Sequence, residues 1–592
     1  MATTKVGSGV FEISESTLTF PDASGGPIEA CSPFRAASIL FSVGLQMNAR
    51  TPWISAIAAL ALLVTGCGKG RTIEQAQTHD VLTVLRGDKS EILDPHATSS
   101  GGDANLIQQM YDTLVRPASK PPVRWEPGLA ESWTISDDFK TYTFKIRRGV
   151  RFHDGAALNA AAVKRSFDRA RNLKDRAAPP KLPYAEEYFA DIERIETPDE
   201  FTAVFVLKGT NPKFLANTGL FASSVVSPAA IAAMEKTTNA AERQGWLTRH
   251  PAGTGPYTIA REGDYQDATT ITMTAFTNYW DGAPSIPRVV FKWASDARSR
   301  REQILAGAVQ MIDSPGPADW KDLDADPNVD LYSWKAENLC YVAMNTDPAK
   351  GFPTRDVRVR KAIALAVDRG PLVTLYDGTA VPHHVLLPPV TAGYPEGYLP
   401  TTDRGARAER LVQARQLLRD AGVENLTLKM ILPAVPRPYL GKPPQIADLI
   451  RQQLAEIGII ITLEPQPMNE LGDSMSNGSA PLVLIGWMGE TGEPDDFWRP
   501  LLSGNGRPSD NNGARFWNPE VAGKIDSALK ERDGTKRRQL YEELEKSVHE
   551  EYRPIVPLLS AMQAVAWRTE VNGIFVDSTG TYRLAKARYA RR

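Results

Sequence analysis

The chain has 592 residues, 42% of them hydrophobic and 23% charged, with no low-complexity tract; this is a globular composition with length for two or three domains. Lys+Arg 68 against Asp+Glu 70 leaves a formal net charge of −2, which excludes the basic footprint that a nucleic-acid binder needs.

Residues 1–46 show neither a helical nor a strand period and read as a non-native or disordered leader. From Met47 one positive charge, Arg50, precedes the apolar run from Ile54 to Val64. That run is short of the roughly 20 residues a membrane-crossing helix needs. Residues 47–66 are therefore an export signal rather than an anchor. The ending Leu63-Val64-Thr65-Gly66-Cys67 resembles the bacterial lipobox, which implies that Cys67 is acylated and becomes the first residue of the mature chain. Several lipid chains are implied too, since one chain alone binds reversibly. Gly68, in place of Asp, favours the outer membrane where there is one. The plain alternative is an ordinary signal peptide with a chance cysteine. Gly66 to Gly70 is no phosphate loop, because the spacing GxxxxGK[ST] is missing. With Cys31 in the leader and Cys67 acylated, Cys340 is left alone and no intramolecular disulfide is expected. Residues 67–77 form a linker.

Past Thr78 the chain is strand-rich. "VLTVLRGD" is strand-like, and Tyr142, Phe144 and Ile146 alternate with polar residues as a strand with one buried face does. Val150 and Phe152 continue the alternation after Arg148-Gly149, which predicts a hairpin there. Further β regions are expected at Phe201 to Gly209 and around Pro251 to Ala260, with a helix from Ala160 to Arg171 between the first and second.

At about Ala294 the pattern changes. Val359, Ala362, Ile363, Ala366 and Val367 recur at helical spacing, and so do Leu411, Ala414, Leu418 and Ala421, a run that stops at Gly422. "LTLKMIL", "PQIADLIRQQLAEIG" and "IIITLEP" then read as strand, helix and strand, a βαβ crossover. Ala480 to Trp487 is a buried strand, and a last amphipathic helix runs from Thr535 to Tyr552 with Leu540, Leu544 and Val548 on its apolar stripe. There is no repeat at solenoid period.

The order of several phrases resembles one family, the extracytoplasmic solute-binding proteins of ABC importers, family 5. They are "LDPH" from Leu93, "YDTLV" from Tyr111, "GLAESW" from Gly128, "TYTFKIRRGVRFHDG", "GTGPY" from Gly253, "DVRVRKAIALAVDR" and "IGWMGETGEPDDFW" from Ile485. One departure is Phe139, where "SDDG" is usual. The resemblance implies an α/β (mixed α+β) chain with a two-lobed periplasmic-binding-protein fold, class II-like, and an extra strand-rich subdomain in lobe I. Lobe I is then 78–293, lobe II 294–558, and 559–592 a C-terminal return to lobe I, with hinge crossings near Ala294 and Leu558. It further implies capture of di- or oligopeptides in an interlobe cleft and delivery to membrane permease subunits, by a lipid-anchored monomer in the periplasmic space, with no cofactor.

In the dipeptide binders of this family an arginine takes the peptide carboxylate and an aspartate the amine. "PAVPRPYLG" matches the arginine-bearing segment, which assigns the carboxylate to Arg437; a guanidinium grips it with two parallel hydrogen bonds. Pro438 favours an extended backbone at Arg437. The acidic segment reads Gly486-Trp487-Met488-Gly489-Glu490, which assigns the amine to Glu490, one methylene longer than aspartate. Trp487, Tyr439, Gly486 and Met488 would line the cleft. The plain alternatives are an exposed loop cation at Arg437, a solvated acidic turn in "GETGEPDD", and a core tryptophan at 487. His383-His384 reads as loop surface rather than a nickel or haem contact, since neighbours on a strand point to opposite faces.

An extracytoplasmic hydrolase is the rival of another class. GxSxG, HExxH and CxxC are absent and the seven histidines show no metal-ligand spacing, so neither catalytic nor metal-binding residues are expected. Within the family, a nickel, haem or antimicrobial-peptide binder remains open, the last because Asp495 to Gly504 resembles such proteins too.

Overall fold

The computed structural model describes residues 80–590, except 119–123, 172–181, 186–187, 262–263, 267–268, 392, 424, 505 and 578. The expected leader, signal, lipidated Cys67 and linker lie outside the described residues.

The strand Val81–Arg86 is apolar on both faces and takes a parallel neighbour on each side, Arg288–Trp293 and Met311–Asp313. Thr270–Ala275 adds antiparallel to Arg288–Trp293. A separate antiparallel sheet is the strand-rich subdomain, in the order Ala130–Ile135, Thr141–Ile146, Thr202–Leu207, Ile192–Asp199. Tyr142, Phe144 and Ile146 form its buried face, at most 1% exposed. The helix Ala160–Ala170 opens on Asn159, whose side chain accepts from Ala162 N–H, and covers that face. Phe167 then meets Phe205 edge-on, with ring centres 4.9 Å apart.

The hairpin expected at Arg148-Gly149 does not form. Both edges of Thr141–Ile146 are already taken by its two neighbours. Val150 and Phe152 bond instead to Leu158 N–H and Ala156 O, around a turn at Asp154-Gly155. Phe139 keeps the turn that a glycine usually makes: it takes φ +52°, and its N–H donates to Ser136 O at 2.9 Å.

Ala294, expected as the first hinge crossing, is not where the chain leaves this lobe. Parallel strands need a crossover, and the helix Ala297–Leu305 supplies it between Arg288–Trp293 and Met311–Asp313. Ile304, Val309, Ile312, Leu323 and Val329 consequently pack with Leu85 and Ala566. The shift in pattern at Ala294 marks a change of element, not of lobe.

The second lobe is one hydrophobic cluster between Leu339 and Ala561. Leu426–Pro433 and Ile459–Gln466 run parallel, with the helix Pro443–Ala455 as their crossover, and Leu482–Met488 joins on the other side of the first. Gly422 and Gly458 take φ +70° and +83° where the helices before them end. All five stripe residues of the helix Val357–Ala366 and its cap are buried. The last helix runs Gly534–Ser547 and widens into a π turn, Val548–Tyr552.

Two paired strands carry the chain between the lobes. Val329–Lys335 continues through Ala336 and Glu337 into Asn338–Met344, and both halves lie antiparallel to the long strand Ile555–Arg568. At the break in pairing, the buried Asn338 amide donates to Ala561 O (2.7 Å) and its oxygen accepts from Ala561 N–H (2.9 Å). Past that strand, Val571, Tyr582, Leu584 and Ala587 lie in the first lobe's cluster.

Candidate functional site

Leu482–Met488 ends at the seam between the lobes, and the residues the sequence singled out gather around that end. Arg437 to Leu440 is a tight turn, closed by Arg437 N–H on Leu440 O (3.0 Å) and Leu440 N–H on Arg437 O (2.9 Å), with Pro438 in the second turn position it favours. The turn lays the Tyr439 ring on Gly486, where a β-carbon would come within 2.2 Å of Tyr439 Cδ2 and 2.6 Å of Leu339 O. Only a residue without a side chain fits there. Burial raises the Tyr439 hydroxyl's pKa, while the adjacent Arg437 guanidinium opposes the shift. Arg437 is half-buried, and its buried Nε has no hydrogen-bond acceptor among the described residues.

Trp487 donates its indole N–H to the Asp496 carbonyl at 2.7 Å, and Met488 Sδ accepts from the Gln563 amide at 3.9 Å. Gly489 N–H donates to the Glu337 carbonyl at 2.7 Å. Glu490 follows on a short loop, and its Oε1 accepts from the Tyr184 hydroxyl of the first lobe at 2.7 Å. Tyr439 packs on Gly486, Trp487 and Met488 pack against the second lobe's core from opposite faces of the strand, and Glu490 reaches the first lobe.

The loop is shaped by carboxylates the sequence reading missed. Asp496 Oδ2 accepts from Glu490 N–H (2.9 Å), Thr491 N–H (2.7 Å) and the Thr491 hydroxyl (2.8 Å). The "GETGEPDD" turn is accordingly not a solvated one: Thr491, Asp495 and Asp496 are between 2% and 4% exposed. The signal was the Asp-Asp pair directly before Phe497-Trp498, since acids in a helix's first turn are favoured and the apolar pair draws them inward. Glu337, between the strands Val329–Lys335 and Asn338–Met344, accepts from Gly492 N–H and the Thr391 hydroxyl, both at 3.0 Å. Burial pushes its pKa up to about 8, with Asp496 and Glu493 adding to the rise.

The histidine pair corrects another expectation. His383 is not loop surface but 1% exposed, with its ring bonded to Leu387 O and its pKa lowered to about 3 by burial. His384 is bonded to Asp403 at 3.1 Å, a carboxylate that also pairs with Arg369 and Arg553. This network lies beside the long strand, where Arg369 also donates to Pro557 O. Cys340 is buried and unbridged, its thiol's pKa raised by burial. Among the described residues no group of His, Cys, Asp and Glu is arranged to hold a metal ion, and no helix is long and apolar enough to cross a membrane.

Comparison with known proteins agrees with this architecture. The bacterial extracellular solute-binding proteins, family 5, match residues 124–509. The probable ABC transporter periplasmic-binding protein SapA of Escherichia coli is 30% identical over 502 residues, 82% of this chain and 88% of that one. The dipeptide-binding protein of Escherichia coli is 29% identical over 476 residues, 77% of this chain and 84% of that one. Among solved structures, the dipeptide binding protein from Pseudoalteromonas sp. SM9913 in complex with Met-Leu covers 86% of this chain and 100% of its own, at 25% identity and a TM-score of 0.75. The chain belongs to family 5 of the bacterial extracellular solute-binding proteins. It is an extracytoplasmic solute-binding protein with the two-lobed, mixed α/β fold of that group.

Proposed function

We propose that this protein captures short peptides between its lobes and delivers them to the permease of an ABC importer, with no reaction of its own. The observation that supports the reading is that two oppositely charged segments meet one strand: Arg437 sits on the turn that packs Tyr439 on Gly486, and Glu490 on the loop after Met488 of that same strand. A peptide enclosed there loses water from both charged ends, and a buried charge without a partner is costly. Arg437 takes the carboxylate in a two-bond grip, and Glu490 takes the amine. Main-chain groups between the ends pair with cleft backbone whatever the side chains are. Dipeptide- and di/tripeptide-binding relatives support a peptide as the cargo. The hinge is at Ala336-Glu337 and at Ser560 to Met562, the two places where the paired strands pass from one lobe to the other. The protein works as a monomer held to a membrane through lipid on Cys67, from where the closed form meets its permease.

The test is titration calorimetry with a dipeptide on the wild-type protein and on Arg437→Ala. The substitution is expected to abolish measurable peptide affinity. Peptide binding that survives it, or a nickel or haem complex found by native mass spectrometry of protein from its own host, would replace this reading.

A further inference from the structure

Lys213 belongs to the first lobe, directly before the short helix Phe214–Asn217. Its N–H donates to Asn211 Oδ1 at 3.1 Å, and its ammonium lies 5.0 Å from the centre of the Tyr188 ring. The side chain crosses the seam. Nζ is 2.6 Å from Asp496 Oδ1 and 3.6 Å from Asp495 Oδ2, and all three side chains are at most 5% exposed. Asp496 is therefore shared: one oxygen holds the lysine of the first lobe, and the other holds the backbone of Glu490 and Thr491.

The surrounding charges make the lysine matter. Asp496 and Glu493 each lie close enough to Glu337 to disfavour its charge. Glu493 has Arg537 at 2.6 Å, and Asp495 has Arg499 at 3.3 Å. Burial pushes Asp495 up, yet Arg499 and Lys213 together hold it below the ordinary carboxylate range. Among the described residues, Lys213 is the cation with which Asp496 pairs.

We infer that Lys213 is a positioning residue for ligand capture: it enters the Asp495–Asp496 pair as the lobes close and so couples closure to the loop that presents Glu490. When the lobes part, Asp496 keeps its backbone donors and exchanges its cation for water. In the closed form without the lysine's charge, Asp496 is an enclosed carboxylate with no cation, which is strongly disfavoured, so closure before any ligand arrives depends on Lys213. Apparent affinity scales with the fraction of molecules able to close, and Lys213 sets that fraction. The inference rests on the peptide reading for the identity of the ligand, but not for closure.

The experiment compares the full chain with Lys213→Met and Lys213→Arg by small-angle X-ray scattering without ligand, and by dipeptide titration. Lys213→Met is expected to raise the radius of gyration of the ligand-free protein and to weaken dipeptide binding roughly 10- to 100-fold. Lys213→Arg restores both, which a merely structural role for the side chain would not require. If methionine there prevents folding, Lys213→Gln, which keeps a donor without the charge, is read the same way. An unchanged radius and unchanged affinity in a folded, uncharged variant overturn the inference. A wild type that binds no dipeptide while the variant still opens overturns the peptide reading alone.

Discussion

Tyr439 and Gly486 occupy each other's space: a β-carbon on Gly486 would stand 2.2 Å from Tyr439 Cδ2. Since the same turn carries Arg437, that contact ties the guanidinium to the strand that leads to Glu490.

Gly486→Ala is expected to push the Tyr439 turn off the strand and to destabilise the protein by about 1–3 kcal/mol, the usual cost of overpacking. A denaturant melt reads the loss. Adding Tyr439→Ala relieves part of it, because the clash with Leu339 O remains; equal stability of Gly486→Ala and wild type would show that the turn moves freely.

Asn338 substitutes for strand pairing at the break beside Ala561. Replacing it by alanine leaves Ala561 N–H and C=O buried without their partners. The expected cost is about 2–6 kcal/mol in a thermal or denaturant melt, from about 1–3 kcal/mol for each of the two orphaned groups. A loss below about 0.5 kcal/mol would mean that the two strands re-pair across the break.

Much of this fold was legible before the structure. The alternation of Tyr142, Phe144 and Ile146, the stripe from Val359 to Val367, and the βαβ unit around Pro443–Ala455 all lie where local periodicity places them. The end of the first lobe was not legible, because strand Met311–Asp313 is recruited by Val81–Arg86, some 227 residues earlier. No local pattern records such a pairing. The same holds for the candidate site: Arg437, Trp487 and Glu490 are proposed from phrases in the sequence, whereas Lys213, Glu337 and Tyr184 come from distant segments and are brought beside the Glu490 loop by folding alone. Burial also turned an apparently solvated acidic run into the scaffold of the loop.

Glu337 makes stability depend on pH in a defined direction. Its pKa is about 8 in the folded protein against an ordinary 4.5, because burial, Asp496 and Glu493 all disfavour its charge. Across that interval the folded state holds a proton that the unfolded state has released. Stability from this group therefore falls as pH rises from about 4.5 to 8, by at most about 1.4 kcal/mol per pH unit, and is level above. Glu337→Gln keeps an acceptor for Gly492 N–H and a group for the Thr391 hydroxyl without a charge. The variant should be more stable than wild type at pH 9, with the difference closing towards pH 4.5, in melts run across that range. Parallel pH curves for the two proteins would contradict the assignment.

The most direct test of peptide capture by its two charged ends is calorimetric titration of the wild-type protein with one dipeptide in three forms: free, N-acetylated and C-amidated. The account predicts that the free form binds and that blocking either end weakens binding roughly 30-fold or more, since each block leaves Glu490 or Arg437 without its partner. Equal affinity for all three forms, or no binding of the free form, would contradict it.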